Sequence, residues 1–99
     1  MRKELINKYA GLGLLWVDHG QLEPEIPRRS LAFIVPVQKF VSDGIYALNT
    51  GESVGLYRCS GLDSIAVSHN GPLSLAALDT KEFEKIVAGR VIGHMKIWG

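Results

Sequence analysis

Cysteine is nearly absent from this chain: Cys59 is the only one among 99 residues, and a single cysteine excludes an intrachain disulfide. No apolar run approaches the ~20 residues that a membrane-spanning helix needs, so we predict no membrane association. The net charge of +1 argues against a dedicated basic surface for nucleic acids. Glu4 and Asn7 interrupt the start of the chain, which therefore lacks the apolar core of a secretory signal. These absences favour a cytoplasmic protein.

Motifs for metals and cofactors are also missing. His19, His69 and His94 do not combine with Cys59 at the C-x-x-C or H-x-x-x-H spacings that metal sites use. The G-x-G near the start of the chain lacks the third glycine and the following helix of a dinucleotide motif. We therefore predict no metal site and no cofactor.

The composition is that of a folded domain. Hydrophobic residues make up 46% of the chain and charged residues 21%, which is average for globular proteins, and this length predicts a single domain. Leu5, Ile6 and Tyr9 stand at helical spacing, and two glycines end that pattern. We divide the chain into an N-terminal helical turn and connector, residues 1–13, and a β domain, residues 14–99.

Short apolar runs separated by turn residues recur about every ten residues along the β domain. This spacing predicts a mainly β, small antiparallel domain with short helical turns. Residues 49–52, NTGE, predict the turn of a hairpin. Residues 80–87 predict a helical turn with Thr80 as its N-cap, and residues 31–35 predict a buried strand. The predicted strands are residues 14–17, 31–35, 45–48, 53–59, 62–68 and 90–98.

The last predicted strand, residues 90–98, has two alternating sets of side chains, and we predict that it lies at the edge of the sheet. One set is expected to face the core: Val91, Gly93, Met95 and Ile97. The other set is expected to face outward, where an unprotected edge invites a second copy of the chain. We predict dimer contacts at Ile92, His94, Lys96 and Trp98.

The order of several short segments resembles that of a known family. Along the chain these segments are EPEIP (23–27), SDGIY (42–46), LYR (56–58), SHN (68–70) and AGRVIG (88–93). Together they resemble the C-terminal domain of LexA-like and phage-repressor proteins, which are self-cleaving serine peptidases with a mostly β fold. The resemblance extends over nearly all of the β domain, and it implies a LexA-like or signal-peptidase-like fold.

The resemblance also places two substitutions at the catalytic positions. In the family a serine stands two residues before the Glu-Pro pair, and a lysine stands on the second hairpin strand before an arginine. Here those positions hold Gln21 and Tyr57. A glutamine amide is no nucleophile, and a tyrosine with a pKa near ~10 is a poor base at pH 7. We expect a degenerate member with no catalytic residues. In it the ring of Tyr57 is buried and its hydroxyl forms a hydrogen bond with Gln21. An alignment shifted by one residue would place Arg58 or Leu56 at the lysine position instead.

Two classes of function follow. The resemblance implies a non-catalytic oligomerisation and regulatory domain of a repressor-like transcriptional regulator, which self-associates and contacts DNA through a separate N-terminal domain outside this chain. A variant of this class is a free-standing partner that modulates a repressor or a repair polymerase. The alternative is a serine hydrolase with an unrecognised dyad, formed by Ser42 or Ser68 with Lys39 or Lys96.

Overall fold

The fold comes from a computed structural model, which describes residues 13–51, 53–61, 64–68 and 76–97. Within these ranges the chain forms seven strands and one helix. In chain order they are β1 (Gly13–Val17), β2 (Ser30–Val35), β3 (Gly44–Asn49), β4 (Val54–Gly61), β5 (Ser64–Ser68), β6 (Ala76–Asp79), α1 (Thr80–Ile86) and β7 (Val87–Lys96). The mainly β, antiparallel fold predicted from the sequence is confirmed. The predicted helical turn at residues 2–9 lies outside the described residues.

All seven strands belong to one antiparallel sheet, in the order β1-β2-β7-β3-β4-β5-β6. The prediction that the C-terminal strand lies at an edge is therefore wrong, because β7 lies between β2 and β3. Arg90 pairs with both neighbours, whereas Val91 and the residues after it pair with β2 alone. Alternation of apolar and polar residues is the same in inner and outer strands, so it could not have shown this position. The described strands at the two edges are β1 and β6.

The predicted hairpin is confirmed, and its turn has a clear chemical basis. Asn49 ends β3, and its side-chain oxygen accepts a hydrogen bond of 3.0 Å from the backbone N–H of Gly51. Gly51 has a φ of 102°, a conformation that glycine adopts without steric cost. The turn thereby sets the register in which Tyr46 lies opposite Tyr57.

Helix α1 begins one residue earlier than predicted, because its N-cap is Asp79 and not Thr80. An Asp79 carboxylate oxygen accepts a hydrogen bond of 2.8 Å from the backbone N–H of Glu82, whose carboxylate accepts one of 3.0 Å from the Asp79 N–H. This reciprocal pair satisfies two backbone donors at the start of the helix. In the described part of the chain, no helix is long and apolar enough to cross a membrane.

Two cores lie on opposite faces of the sheet. The first face is covered by residues 18–29, which we call the cover loop. The first core consists of Leu15, Val17, Leu22, Ile26, Ala32, Ile34, Ala47 and Leu56, of which Leu22 and Ile26 come from the cover loop. The second face is covered over β3, β4 and β5 by α1, which contributes the buried Phe83. The second core consists of Tyr46, Leu48, Cys59, Ile65, Val67 and Phe83.

A β-bulge at Ile92 changes which side chains of β7 face the first core. Phe33 pairs with Gly93 whereas the next residue of β2 pairs with Val91, so Ile92 is an extra residue. Because the bulge shifts the alternation by one residue, Val91 packs against the first core while Met95 lies on the second face and is 50% exposed. The prediction that both residues face one core is therefore wrong.

Candidate functional site

Gln21 and Tyr57, the positions matched to the peptidase dyad, lie on opposite faces of the sheet. Gln21 belongs to the cover loop on the first face. Tyr57 lies opposite Tyr46 and packs against the second core. The expected contact between the Tyr57 hydroxyl and Gln21 is therefore wrong. Side chains along β4 alternate between faces, so Arg58, the neighbour of Tyr57, points to the cover loop instead.

Arg58 ties β4 to the cover loop. Its Nε and Nη2 donate hydrogen bonds of 2.6 Å to the two carboxylate oxygens of Glu25. Nη2 also donates to the backbone carbonyl of Glu23 at 2.9 Å, and Nη1 to that of Gln21 at 3.3 Å. The hydrogen bonds from Arg58 lower the pKa of the Glu25 carboxyl, so this group stays charged at neutral pH. A guanidinium stays protonated at physiological pH, so Arg58 cannot accept a proton beside Gln21.

A groove of about 470 Å³ lies beside this ion pair on the first face. It opens where β7 diverges from β3 beyond Arg90, and its apolar lining includes Ile26, Ile45 and Val91. Its polar lining consists of Glu25, Asp43, Arg58, Ser60, Ser68 and His94. Three of these six groups bind other parts of the protein. Glu25 and Arg58 bind each other, and a carboxylate oxygen of Asp43 accepts a hydrogen bond of 3.1 Å from the backbone N–H of Gly61.

The Cys59 thiol and the Ser42 hydroxyl lie near the groove, and among the described residues neither has a hydrogen bond to a side chain that could act as its base. Burial raises the pKa of the Cys59 thiol to about 12, so this thiol is protonated at neutral pH. The Ser42 hydroxyl accepts a hydrogen bond of 2.9 Å from Arg90 Nη2. Among the described residues, no hydrogen bond joins either proposed serine to either proposed lysine. Those serines are Ser42 and Ser68, and those lysines are Lys39 and Lys96.

Metal-ligating side chains are not gathered in the described part of the chain, where no group of three or more His, Cys, Asp or Glu residues could hold an ion. His19 and His94 lie apart: the Nδ1 of His19 accepts a hydrogen bond from the Gln21 N–H within the cover loop, whereas His94 lines the groove. His69 lies outside the described residues.

Three of the four residues predicted to form a dimer interface lie in the described part of β7. Ile92 is the bulge residue and is 59% exposed. His94 pairs with Ala32 and Lys96 with Ser30, so both lie on the first face. The fourth residue, Trp98, lies outside the described residues. The bulge changes the alternation on which the prediction rested, because it places His94 and Lys96 on the same face as Val91.

A different surface is apolar and exposed. On the second face of β1, β2 and β7, beyond the reach of α1, five side chains form what we call the apolar strip: Leu14, Trp16, Leu31, Phe33 and Met95. Leu14 pairs with Phe33, and Trp16 pairs with Leu31, which in turn pairs with Met95. Leu14 is 39% exposed and Trp16 is 37% exposed. The strip holds no charged residue. Monomeric proteins usually expose only small apolar patches, and larger ones mark interaction sites.

The sequence does not predict the strip, because the apolar run of residues 31–35 is typical of a buried strand. In the structure Ala32 and Ile34 are buried, whereas Leu31 and Phe33 are only partly so. The signal was weak, because apolar residues occupy both faces of β1 and β2 and show no alternation in hydrophobicity. The ion pair between Arg58 and Glu25 was not predicted for another reason, because 33 residues separate the two in sequence.

No protein-family model, curated protein or solved structure matches this chain. The resemblance to repressor domains therefore rests on the order of the sequence segments alone.

Proposed function

We propose that this chain is a non-catalytic self-association domain whose copies meet through the apolar strip. The observation that carries the proposal is the exposure of Leu14 and Trp16 on β1 and of Met95 on β7, which all lie on one face of the sheet. Exposing such a surface to water is unfavourable by ~25 cal/mol for each Å² of apolar area. Contact with another protein surface removes this cost.

Electrostatics favour a second copy as the partner. The strip has no charged side chain, so two copies can bring their strips together without placing like charges opposite each other. The whole chain has a net charge of +1, so long-range repulsion between copies is small. An aromatic side chain such as Trp16 is the kind of anchor that contributes most to protein interfaces.

The resemblance to LexA-like and phage-repressor proteins supports a wider proposal, in which this association serves a transcriptional regulator and DNA contact belongs to a separate N-terminal domain. Arg58 beside Gln21 supports the non-catalytic part, since neither a guanidinium nor an amide supplies a nucleophile or a base. A free-standing partner of a repressor or a repair polymerase is the variant of this proposal. It predicts a chain that stays monomeric alone and associates only with that partner.

Sedimentation of the purified chain across a concentration series, from low to high micromolar, tests the proposal. We expect a reversible increase in mean mass with concentration. As a test in cells, the chain is fused to a DNA-binding domain that represses its operator only as a dimer. We expect repression by the fusion and none by the DNA-binding domain alone. A chain that remains monomeric at high micromolar concentration contradicts self-association.

Two matched variants locate the surface. Trp16→Glu adds a charge within the apolar strip, and we expect it to weaken association by ~1–3 kcal/mol. Val41→Glu adds the same charge to another apolar residue, 61% exposed and outside the strip, and we expect no change. Circular dichroism is the check that both variants are folded. Equal effects of the two substitutions would show that charge alone, rather than the strip, controls association.

A further inference from the structure

We infer that two copies join by antiparallel pairing of β1 with β1 of the second copy, so that their two sheets become continuous. This inference rests on the proposed self-association and narrows the contact to the β1 end of the apolar strip. In the described part of the chain, β1 is the last strand at one end of the sheet, and no strand pairs with its outer side. Its N–H and C=O groups on that side can pair with another strand.

Edge strands of soluble proteins are usually protected against such pairing by charges, prolines or bulges. β1 has none of these, because Gly13–Val17 reads GLLWV and its register with β2 is regular throughout. The other edge differs. β6 ends at Asp79, continues directly into α1, and packs against that helix. The edge of β1, which lacks these protecting features, also borders the apolar strip.

The composition of β1 favours a second copy over another strand. An antiparallel pair centred on Leu15 is symmetric about a two-fold axis, so each contact occurs twice. In this register Leu14 of each copy lies opposite Trp16 of the second copy, on the face that carries the apolar strip. No charged side chain within β1 is brought opposite another. A pair of five-residue strands buries less than the ~800 Å² per partner of a standard interface, so we expect a reversible dimer.

Disulfide trapping tests this register. Two single-cysteine chains are made in a Cys59→Ala background, one carrying Leu14→Cys and the other Trp16→Cys. Directly opposite residues have Cα atoms ~4.5–5.5 Å apart, close enough for a disulfide. Residue 14 of one copy lies diagonally from residue 14 of the second copy, and the same holds for residue 16. Diagonal positions are ~7–8 Å apart, which is too distant for a disulfide. We expect a 1:1 mixture to form the mixed disulfide on mild oxidation, identified by its mass, and each chain alone to form far less.

Lysine substitutions distinguish edge pairing from a dimer in which the apolar strips of two copies stack face to face. Leu14→Lys places a charge on the edge strand, and we expect the dissociation constant to rise about tenfold or more. Met95→Lys places the same charge on the strip but two strands from the edge, and we expect a change of less than about twofold. Equal losses from the two variants, without the mixed disulfide, would overturn edge pairing in favour of stacked strips, and the proposed self-association would stand.

Hydrogen exchange gives an independent result. We expect β1 amides to become more protected as protein concentration rises, in step with the dimer population from sedimentation. Protection of β1 that is strong and independent of concentration would show that its edge is covered within the chain and would overturn the inference. A wild type that sediments as a monomer at every concentration contradicts the proposed function itself.

Discussion

Arg58 of β4 holds Glu25 of the cover loop through two hydrogen bonds of 2.6 Å, although the two residues are 33 positions apart. The same guanidinium donates hydrogen bonds to the backbone carbonyls of Glu23 and Gln21, so one side chain binds the loop at three residues. The loop in turn brings Leu22 and Ile26 onto the first core, where both are buried. The ion pair therefore positions the residues that close this face of the sheet.

We expect Glu25→Gln to reduce the free energy of unfolding by ~0.5–1 kcal/mol at neutral pH, because the ion pair is partly exposed. The pKa of Glu25 is lower in the folded protein than in the unfolded chain. Its contribution is therefore fully present above the unfolded value and disappears as pH falls through the folded one. Urea denaturation at several pH values should show the variant and wild type converging below pH ~4. A difference that persists unchanged into strong acid contradicts this assignment.

We expect Asp79→Ala to lower the free energy of unfolding by ~1 kcal/mol, because it removes the N-cap of α1. Thr80→Ala is the matched control and should have a smaller effect, since Thr80 is the first helical residue and is exposed. Thermal unfolding followed by circular dichroism compares the two. A larger loss of stability in Thr80→Ala would contradict this assignment and support Thr80 as the N-cap, as predicted from the sequence.

We expect Gly89→Ala to destabilise the fold by ~1–3 kcal/mol through overpacking. A Cβ at this position would lie 2.5 Å from Ile34 Cγ2 and 2.6 Å from the Val35 carbonyl oxygen. Gly93→Ala, in the same strand, is the control, because its Cβ would meet Phe33 at an ordinary 3.6 Å. Denaturant titration of both variants measures the difference, and equal stabilities would contradict the close approach of β2 and β7 at Gly89.

The bulge at Ile92 predicts opposite outcomes for two aspartate substitutions in β7. Val91→Asp should destabilise the fold by ~1–3 kcal/mol, because it puts a carboxylate against the first core. Met95→Asp should cost less than ~1 kcal/mol, since Met95 is half-exposed on the other face. Urea denaturation distinguishes them. A larger loss of stability for Met95→Asp would mean that the side chains of β7 alternate between the two faces without a bulge.

We expect the chain to remain intact on incubation at alkaline pH. The side chains matched to the dyad are Gln21 and Tyr57, and the sheet separates them. Incubation at raised pH followed by intact-mass measurement checks this. Two complementary fragments would identify a nucleophile elsewhere in the chain and contradict the non-catalytic proposal.

Local patterns in the sequence determined most of the strands. Residues 49–52 predicted the hairpin because asparagine and glycine make their own turn, and short apolar runs predicted β1, β2 and β5 because they are long enough for strands and too short for helices. The helical turn before β7 was also predicted, with its cap displaced by one residue. These features depend on neighbours within a few positions, which the sequence displays directly.

The tertiary structure alone decided which strand lies at the edge, which face each side chain meets and which residues form the candidate surface. β7 is internal because it pairs with strands that precede it by many residues, and one extra residue at Ile92 reverses the facing of Met95. The apolar strip exists because α1 covers one part of the second face and leaves β1, β2 and β7 open. Pairing order, bulges and coverage arise from contacts distant in sequence, whereas periodicity describes a strand only by itself.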